Sequence, residues 1–200
     1  MLLDITSRAT ELSDAVVDLA REVARTVVLV RGSRGSAGSG VIWNESGLVI
    51  TNHHVVPGQT AELVVATGHR LPARVVARAP ALDLAALEVR GQLPPGAEVG
   101  DSDALRVGDL LLAVGNPMGE RNAPSLGIVA SAPDDVLRLS ITLRPGNSGG
   151  ALVNARGQVV GIPHMVTGNG LALAVSTRSV RRFLKGTPTP EEGEAELRWI

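Results

Sequence analysis

The stretch GSGVIWNESGLVITNHHVV, residues 38–56, decides the fold class of this chain. It contains two β-rich runs, SGVIW and GLVITN, joined by the turn-forming segment NESG (residues 44–47), and this arrangement predicts a β-hairpin. Similar short runs surround the hairpin: TVVLVRG before it, and AELVVAT, ARVVARA and LAALEVR after it. Together these runs predict a first set of short strands.

A second set of strands is predicted after the Pro- and Gly-rich connection at residues 93–108. Its runs are DLLLAVG, SLGIVAS, VLRLSIT, GALVN, QVVGIP and LALAVS. About a dozen short strands in two sets predict an all-β protein built of two small β-barrels. Helical spacing of apolar residues predicts a short N-terminal helix at 11–25, capped by Thr10 or Ser13, and a C-terminal helix at 177–185.

These elements divide the chain into four predicted segments. They are an N-terminal helical segment (1–25), a first barrel lobe (26–99), a second barrel lobe (100–185) and a flexible acidic tail (186–200).

Composition excludes several classes of function. A net charge of −1 gives no electrostatic basis for binding nucleic acid. The absence of cysteine excludes disulfides, a thiolate nucleophile and a cysteine-based zinc site. We find no secretory leader and no run long enough to span a membrane, so the sequence predicts a cytoplasmic protein if Met1 is the natural start.

The strongest chemical signal is the segment Pro145-Gly-Asn-Ser-Gly-Gly150. Flexible residues on both sides of Ser148 allow a tight turn in which the amides of Gly146 and Ser148 point at one spot. Paired N–H donors beside a serine hydroxyl form an oxyanion hole. The same letters also fit an ordinary Gly-rich hairpin turn, and this segment alone does not separate the two interpretations.

A nucleophilic serine needs a base, and the base needs a carboxylate to orient it. His53 and His54 follow a predicted strand, and on an extended chain only one of them can face the serine. The same divergence makes a metal site at this pair unexpected. Asp83 interrupts the apolar run ALDLAAL, where an unpartnered acid is costly. The remaining histidines, His69 and His164, lie in turn-like settings.

As a set, these segments resemble the HtrA-type (Deg-type) serine endopeptidases of the trypsin-like superfamily. The similarity covers about residues 12–185 and rests on GSGVIWNESGLVITNHHVV, LDLAALEV, VGNPMG…LGIVAS, PGNSGGALVN and GLALAVSTRSVRRFL. It implies two perpendicular six-stranded barrels of the chymotrypsin-like fold with the site between them. It also implies a triad of His54, Asp83 and Ser148, with the amides of Gly146 and Ser148 as oxyanion donors.

The resemblance also implies a specificity pocket with Thr142 as its floor and Leu171, Leu173 and Val175 as a wall, suited to aliphatic side chains. Arg144 departs from the family, which usually has Asn before Pro-Gly-Asn-Ser. The connection at 131–136 leaves little room for the regulatory loop of many relatives, and the resemblance includes no PDZ domain. Asn147 stands where zymogens carry Asp, so we expect no proteolytic maturation.

The sequence therefore predicts a serine endopeptidase that cuts unfolded or flexible polypeptides and needs no cofactor or metal. The alternative is a protease-shaped scaffold with an idle triad that binds peptides by strand addition. An esterase of the α/β-hydrolase type lacks support, because the G-x-S-x-G elbow is absent. The sequence makes no prediction of oligomeric state.

Overall fold

The computed structural model describes residues 2–132, 135–168 and 170–186. Within these residues, twelve strands lie between two α-helices, α1 (Leu2–Ala24) and α2 (Thr177–Leu184). The first six strands are β1 (Val27–Arg31), β2 (Ala37–Ile42), β3 (Leu48–Thr51), β4 (Thr60–Val64), β5 (Arg70–Ala79) and β6 (Leu84–Val89). The second six are β7 (Leu110–Gly115), β8 (Ala123–Ser131), β9 (Val136–Ser140), β10 (Ala151–Asn154), β11 (Val159–Val166) and β12 (Ala172–Ser176).

Each set of six antiparallel strands closes into a barrel. The strand order is β1-β2-β3-β6-β5-β4 in the first barrel and β10-β11-β12-β9-β8-β7 in the second. Closure pairs every edge strand, which leaves no open sheet edge in either barrel. The predicted all-β fold with two six-stranded barrels and a helix at each end is confirmed.

In the described part of the chain, buried apolar residues form three clusters. One fills the first barrel, around residues such as Ile42 and Leu87, and a second fills the other barrel, around Leu139 and Leu152. The third lies between the barrels and joins them to both helices, and its buried members include Val23, Ile50, Leu112, Ile162 and Phe183. Because this third cluster draws on every part of the fold, it fixes the position of one barrel against the other.

The N-terminal helix is longer than predicted. It begins at Leu2 instead of residue 11, so the expectation of a short helix was wrong. The hydroxyl of Thr10 donates a hydrogen bond to the carbonyl of Thr6 one turn earlier, at 3.0 Å. Thr10 therefore lies inside the helix and does not cap its N-terminus. The C-terminal helix agrees with its prediction to within a residue, with Ser176 as its N-cap.

Two predictions concern residues that lie partly or wholly outside the described part of the chain. The flexible acidic tail was predicted for residues 186–200, of which 187–200 are not described. The short connection predicted for 131–136 includes residues 133 and 134, which are not described either.

Candidate active site

His54 and Asp83 meet where two neighbouring strands of the first barrel bring their loops together. Strand β3 ends at Thr51, β6 begins at Leu84, and the two pair with Thr51 opposite Ala85. His54 Nδ1 lies 2.7 Å from Asp83 Oδ2, and the backbone amide of His54 donates to Asp83 Oδ1 at 3.0 Å. The carboxylate therefore holds both the ring and the backbone of this histidine, and it fixes the ring proton on Nδ1.

The apolar residues around Asp83 predicted that it lies inside a strand, but it lies just before β6. It closes the short turn Pro80–Leu82, and its backbone adopts the left-handed conformation with a φ of 51°. This conformation is strained for a residue other than glycine. It is stabilised because the Asp83 carbonyl accepts from the amide of His53 at 3.1 Å and from the Asn52 side chain at 2.8 Å.

The Asp83 carboxylate is ionised despite its burial. Burial alone would raise its pKa, but the nearby His164 imidazole, with Nδ1 at 3.6 Å, and the hydrogen bonds from the ring and backbone of His54 outweigh burial and hold the pKa well below its usual range.

His53 and His54 diverge, although not for the reason expected from the sequence. They lie in a 3-10 turn, His53–Val55, rather than on an extended chain, so strand alternation does not apply. His53 Nδ1 accepts a hydrogen bond from Arg78 at 3.0 Å, and Arg78 also donates to the carbonyl of Gly58. The ring of His53 is thus bound to a different partner from that of His54.

The turn around Ser148 is fastened to the first barrel by Ser39 of β2. The Ser39 amide donates to the Ser148 carbonyl at 2.8 Å, and the Ser39 hydroxyl donates to the Gly146 carbonyl at 2.7 Å. The same hydroxyl accepts from the backbone amide of Asn116 at 2.8 Å and from its side chain at 3.1 Å. One fully buried serine therefore connects both barrels at the site.

The turn is also held within the second barrel. The Pro145 carbonyl accepts from the amide of Met118 at 3.0 Å, and the Gly149 amide donates to the carbonyl of Pro163 at 2.9 Å. Gly149 has a φ of +82°, and a Cβ there would lie 2.2 Å from the carbonyl oxygen of Ser39. No side chain fits at this position, which explains the glycine after Ser148.

Two backbone amides of the turn point at no protein acceptor. Among the hydrogen bonds of residues 2–132, 135–168 and 170–186, none is donated by the amides of Gly146 or Ser148, and none is made by the Ser148 hydroxyl. Hydrogen bonds between catalytic groups are often long in substrate-free structures and shorten in the substrate complex. The unengaged amides are available to a bound oxygen atom.

The sequence profile of the family described as "Trypsin-like peptidase domain" matches residues 38–162, a range that includes His54, Asp83 and Ser148. The chain belongs to this family.

Relatives of the trypsin-like domain carry HtrA- and Deg-type names. The chain is 33% identical over 144 residues to a probable periplasmic serine endoprotease DegP-like of Chlamydia trachomatis, covering 66% of the chain and 29% of the relative. It is 39% identical over 137 residues to a probable periplasmic serine endoprotease DegP-like of Pseudomonas putida, covering 64% of the chain and 28% of the relative. It is 37% identical over 157 residues to the putative serine protease HhoA of Synechocystis, covering 69% of the chain and 40% of the relative.

A solved structure, described as the HtrA-type protease AlgW with tripeptide, superimposes on the trypsin-like domain with a TM-score of 0.79. It is 28% identical and the match covers 85% of this chain and 62% of that one. The resemblance to HtrA-type proteases is therefore confirmed, and the relatives support the predicted class of serine endopeptidase. This chain spans only 28–40% of the length of the three curated relatives.

The relatives disfavour the predicted cytoplasmic location, because those of Chlamydia and Pseudomonas are named periplasmic. Neither of the helices in the described part of the chain is long and apolar enough to cross a membrane.

A cavity of about 290 Å³ lies beside Ser148 in the trypsin-like domain. Its wall is mostly apolar, with one exposed cation, and comprises Leu143, Arg144, Pro145, Asn147, Ser148, Pro163, His164, Met165 and Val166. The four residues predicted for the specificity pocket are not among them. Thr142 and Leu171 border a separate depression, and Leu171, Leu173 and Val175 also line a larger cavity that includes Asp83, His164 and Met165.

Three residues around the site were not singled out from the sequence. Ser39 and Asn116 hold the turn, and His164 lies against Asp83. Ser39 does carry a detectable signal, since it is a polar residue inside a strand-forming run, the same signal that pointed to Asp83. Asn116 directly follows the apolar run LLLAVG, where an amide can reach groups beyond the strand end.

Proposed function

We propose that this trypsin-like domain hydrolyses peptide bonds of unfolded or flexible polypeptides, with Ser148 as nucleophile, His54 as base and Asp83 as its orienting carboxylate. The observation that carries the proposal is the 2.7 Å contact between His54 Nδ1 and Asp83 Oδ2. With the proton on Nδ1, the Nε2 lone pair of His54 is free to accept a proton from a serine hydroxyl.

In this reaction the Ser148 oxygen attacks the peptide carbonyl carbon while its proton moves to His54 Nε2. The imidazolium, stabilised by Asp83, then gives that proton to the leaving amine as the C–N bond breaks. Water repeats the sequence on the acyl-enzyme, and the products are a carboxylate and a regenerated Ser148.

The state of the turn supports an oxyanion hole that is formed before substrate arrives. The carbonyls of Pro145 and Gly146, which would otherwise compete for the amides, are engaged by Met118 and Ser39. The amides of Gly146 and Ser148 are therefore open to the oxygen of the tetrahedral intermediate. All of these contacts are internal to the chain, which supports activity without proteolytic maturation.

The cavity beside Ser148 supports a preference for aliphatic side chains on the acyl side of the cut. Leu143, Met165 and Val166 offer apolar contacts, whereas Arg144 is a cation at the rim with no carboxylate bound to it among the described residues. A lysine or arginine side chain would lose water without gaining a partner and would meet a like charge.

A fluorophosphonate probe tests the proposal, because only an activated serine reacts with it. We expect the intact chain to be labelled on Ser148, and we expect Ser148→Ala and His54→Ala to abolish labelling. The wild-type protein should also degrade a permanently unfolded protein and leave its folded form intact. A folded, unlabelled wild-type protein that still binds peptides would instead support the idle scaffold.

A further inference from the structure

A second histidine, His164, lies against the Asp83 carboxylate. His164 Nδ1 is 3.6 Å from Asp83 Oδ2, the oxygen that also faces His54 Nδ1. The His164 side chain is only 11% exposed, compared with 45% for His54. Both ring nitrogens of His164 are buried with no hydrogen-bond partner within 3.5 Å in the described residues. A buried imidazole without partners is unfavourable, which makes its closest acceptor significant.

A bulge in β11 directs this side chain. In the pairing of β11 with β12, Pro163 lies opposite Ala174 and Met165 lies opposite Leu173, so His164 is an extra residue with no partner. Bulges of this kind turn a side chain out of the strand's alternation and are common next to active sites. The preceding carbonyl, that of Pro163, accepts from the Gly149 amide, so the bulge is tied to the nucleophile turn.

The other charged groups near His164 are engaged elsewhere or exposed. Asp135, which precedes β9, pairs with Arg182 at 2.9 Å. Arg138 of β9 and Arg144 of the turn are exposed cations and cannot accept a proton from an imidazole. The elements packed against His164 in the described residues thus present Asp83 as its carboxylate and His54 as the other imidazole.

We propose that His164 is a positioning residue whose Nδ1–H donates to Asp83 Oδ2 and holds the carboxylate in the orientation that receives His54. A carboxylate oxygen accepts two hydrogen bonds, so Oδ2 can serve both imidazoles, and a shift of less than 1 Å brings His164 Nδ1 within range. This inference rests on the proposed peptidase function. It adds a second, buried histidine that acts through Asp83 without touching substrate.

Three substitutions separate positioning from packing. In His164→Asn the amide nitrogen takes the place of Nδ1, in His164→Gln it takes the place of Nε2, and His164→Leu has no donor. If His164 positions Asp83, His164→Asn should keep kcat within about threefold of the wild-type value. His164→Gln and His164→Leu should lower kcat about tenfold or more, with little change in KM. Packing alone predicts the reverse order, because Leu and Gln fill the space better than Asn. His69→Asn, at an exposed histidine, is the matched control and should leave kcat unchanged.

Nitrogen-15 NMR of the wild-type histidine rings gives a readout that packing does not move. We expect the proton of His164 on Nδ1, and we expect the low-field proton signal between His54 and Asp83 to weaken in His164→Leu and persist in His164→Asn. An active wild-type enzyme with the His164 proton on Nε2, or with unchanged kcat in His164→Leu, would overturn the proposal. If His164→Leu does not fold, the proposal is still decided by the tautomer of His164 in the wild-type protein and by the kcat values of His164→Asn and His164→Gln. A wild-type protein that no probe labels would refute the peptidase function instead.

Discussion

Substitution of Ser39 by alanine should damage both stability and activity, because one hydroxyl joins the two barrels at the nucleophile turn. The change removes a donor to the Gly146 carbonyl and an acceptor for the amide and side chain of Asn116. It adds no bulk, since alanine retains only the Cβ that serine already has. The effect therefore comes from lost hydrogen bonds and not from steric strain.

The magnitude follows from counting the groups left unpaired. The Asn116 side chain keeps its bond to the Val28 carbonyl at 3.0 Å, so it is not orphaned. The Gly146 carbonyl and the Asn116 backbone amide each lose the partner that Ser39 supplied. Leaving a buried polar group unsatisfied costs about 1–3 kcal/mol, so the free energy of unfolding should fall by about 2–6 kcal/mol. That is a large part of the roughly 5–15 kcal/mol typical of a domain.

Urea unfolding followed by circular dichroism measures this loss, and the rate of fluorophosphonate labelling of Ser148 measures the effect on the turn. The control is Ser140→Ala, at an exposed serine of β9, which should change stability by less than about 0.5 kcal/mol. We expect Ser39→Ala to unfold at lower urea and to label more slowly even where it is folded. Wild-type stability together with a wild-type labelling rate would refute the role assigned to Ser39.

Three further predictions follow from the site. His54→Ala should lower kcat by several orders of magnitude, whereas His53→Ala, which removes only the contact with Arg78, should mainly lower stability; equal losses of kcat would contradict the assignment. Because the pKa of Asp83 is lowered by folding, its contribution to stability is present above about pH 4 and is lost as pH falls further, so urea unfolding of Asp83→Asn should depend less on pH than wild type below that point. Cleavage sites in a denatured protein should follow aliphatic residues, and Arg144→Ala should increase cuts after Lys; a majority of wild-type cuts after Lys, Arg or Glu would contradict the cavity's proposed preference.

The barrels could be predicted because their signal is local. Each strand is a short apolar run between turn-forming residues, and the NESG hairpin is visible in a few letters. The extent of α1 could not be predicted in the same way. Thr10 is a good N-cap residue, but a threonine can also donate to the carbonyl four residues back, and only the structure shows which bond it makes.

In the site, too, local sequence patterns predict some features and miss others. Asp83 could be found because a carboxylate among apolar residues demands a partner, although its position in a turn rather than a strand could not. His164 was hidden, because a histidine after Pro163 is typical of a loop, whereas the structure continues β11 to Val166 and turns the ring inward at a bulge. The bulge depends on how β11 pairs with β12, so the residues around His164 do not reveal it by themselves.

The division of the site between two barrels explains why its supporting residues are buried and polar. His54 and Asp83 belong to the first barrel and the Ser148 turn to the second, so their separation is set by the surface where the barrels meet. Apolar packing such as that of Ile50 and Leu112 brings the barrels together but does not fix their register to within a hydrogen bond. Directional bonds from Ser39 do fix it, and each becomes costly if the barrels shift. Substitutions at this surface should therefore alter stability and serine reactivity together, whereas those inside one barrel should alter stability alone.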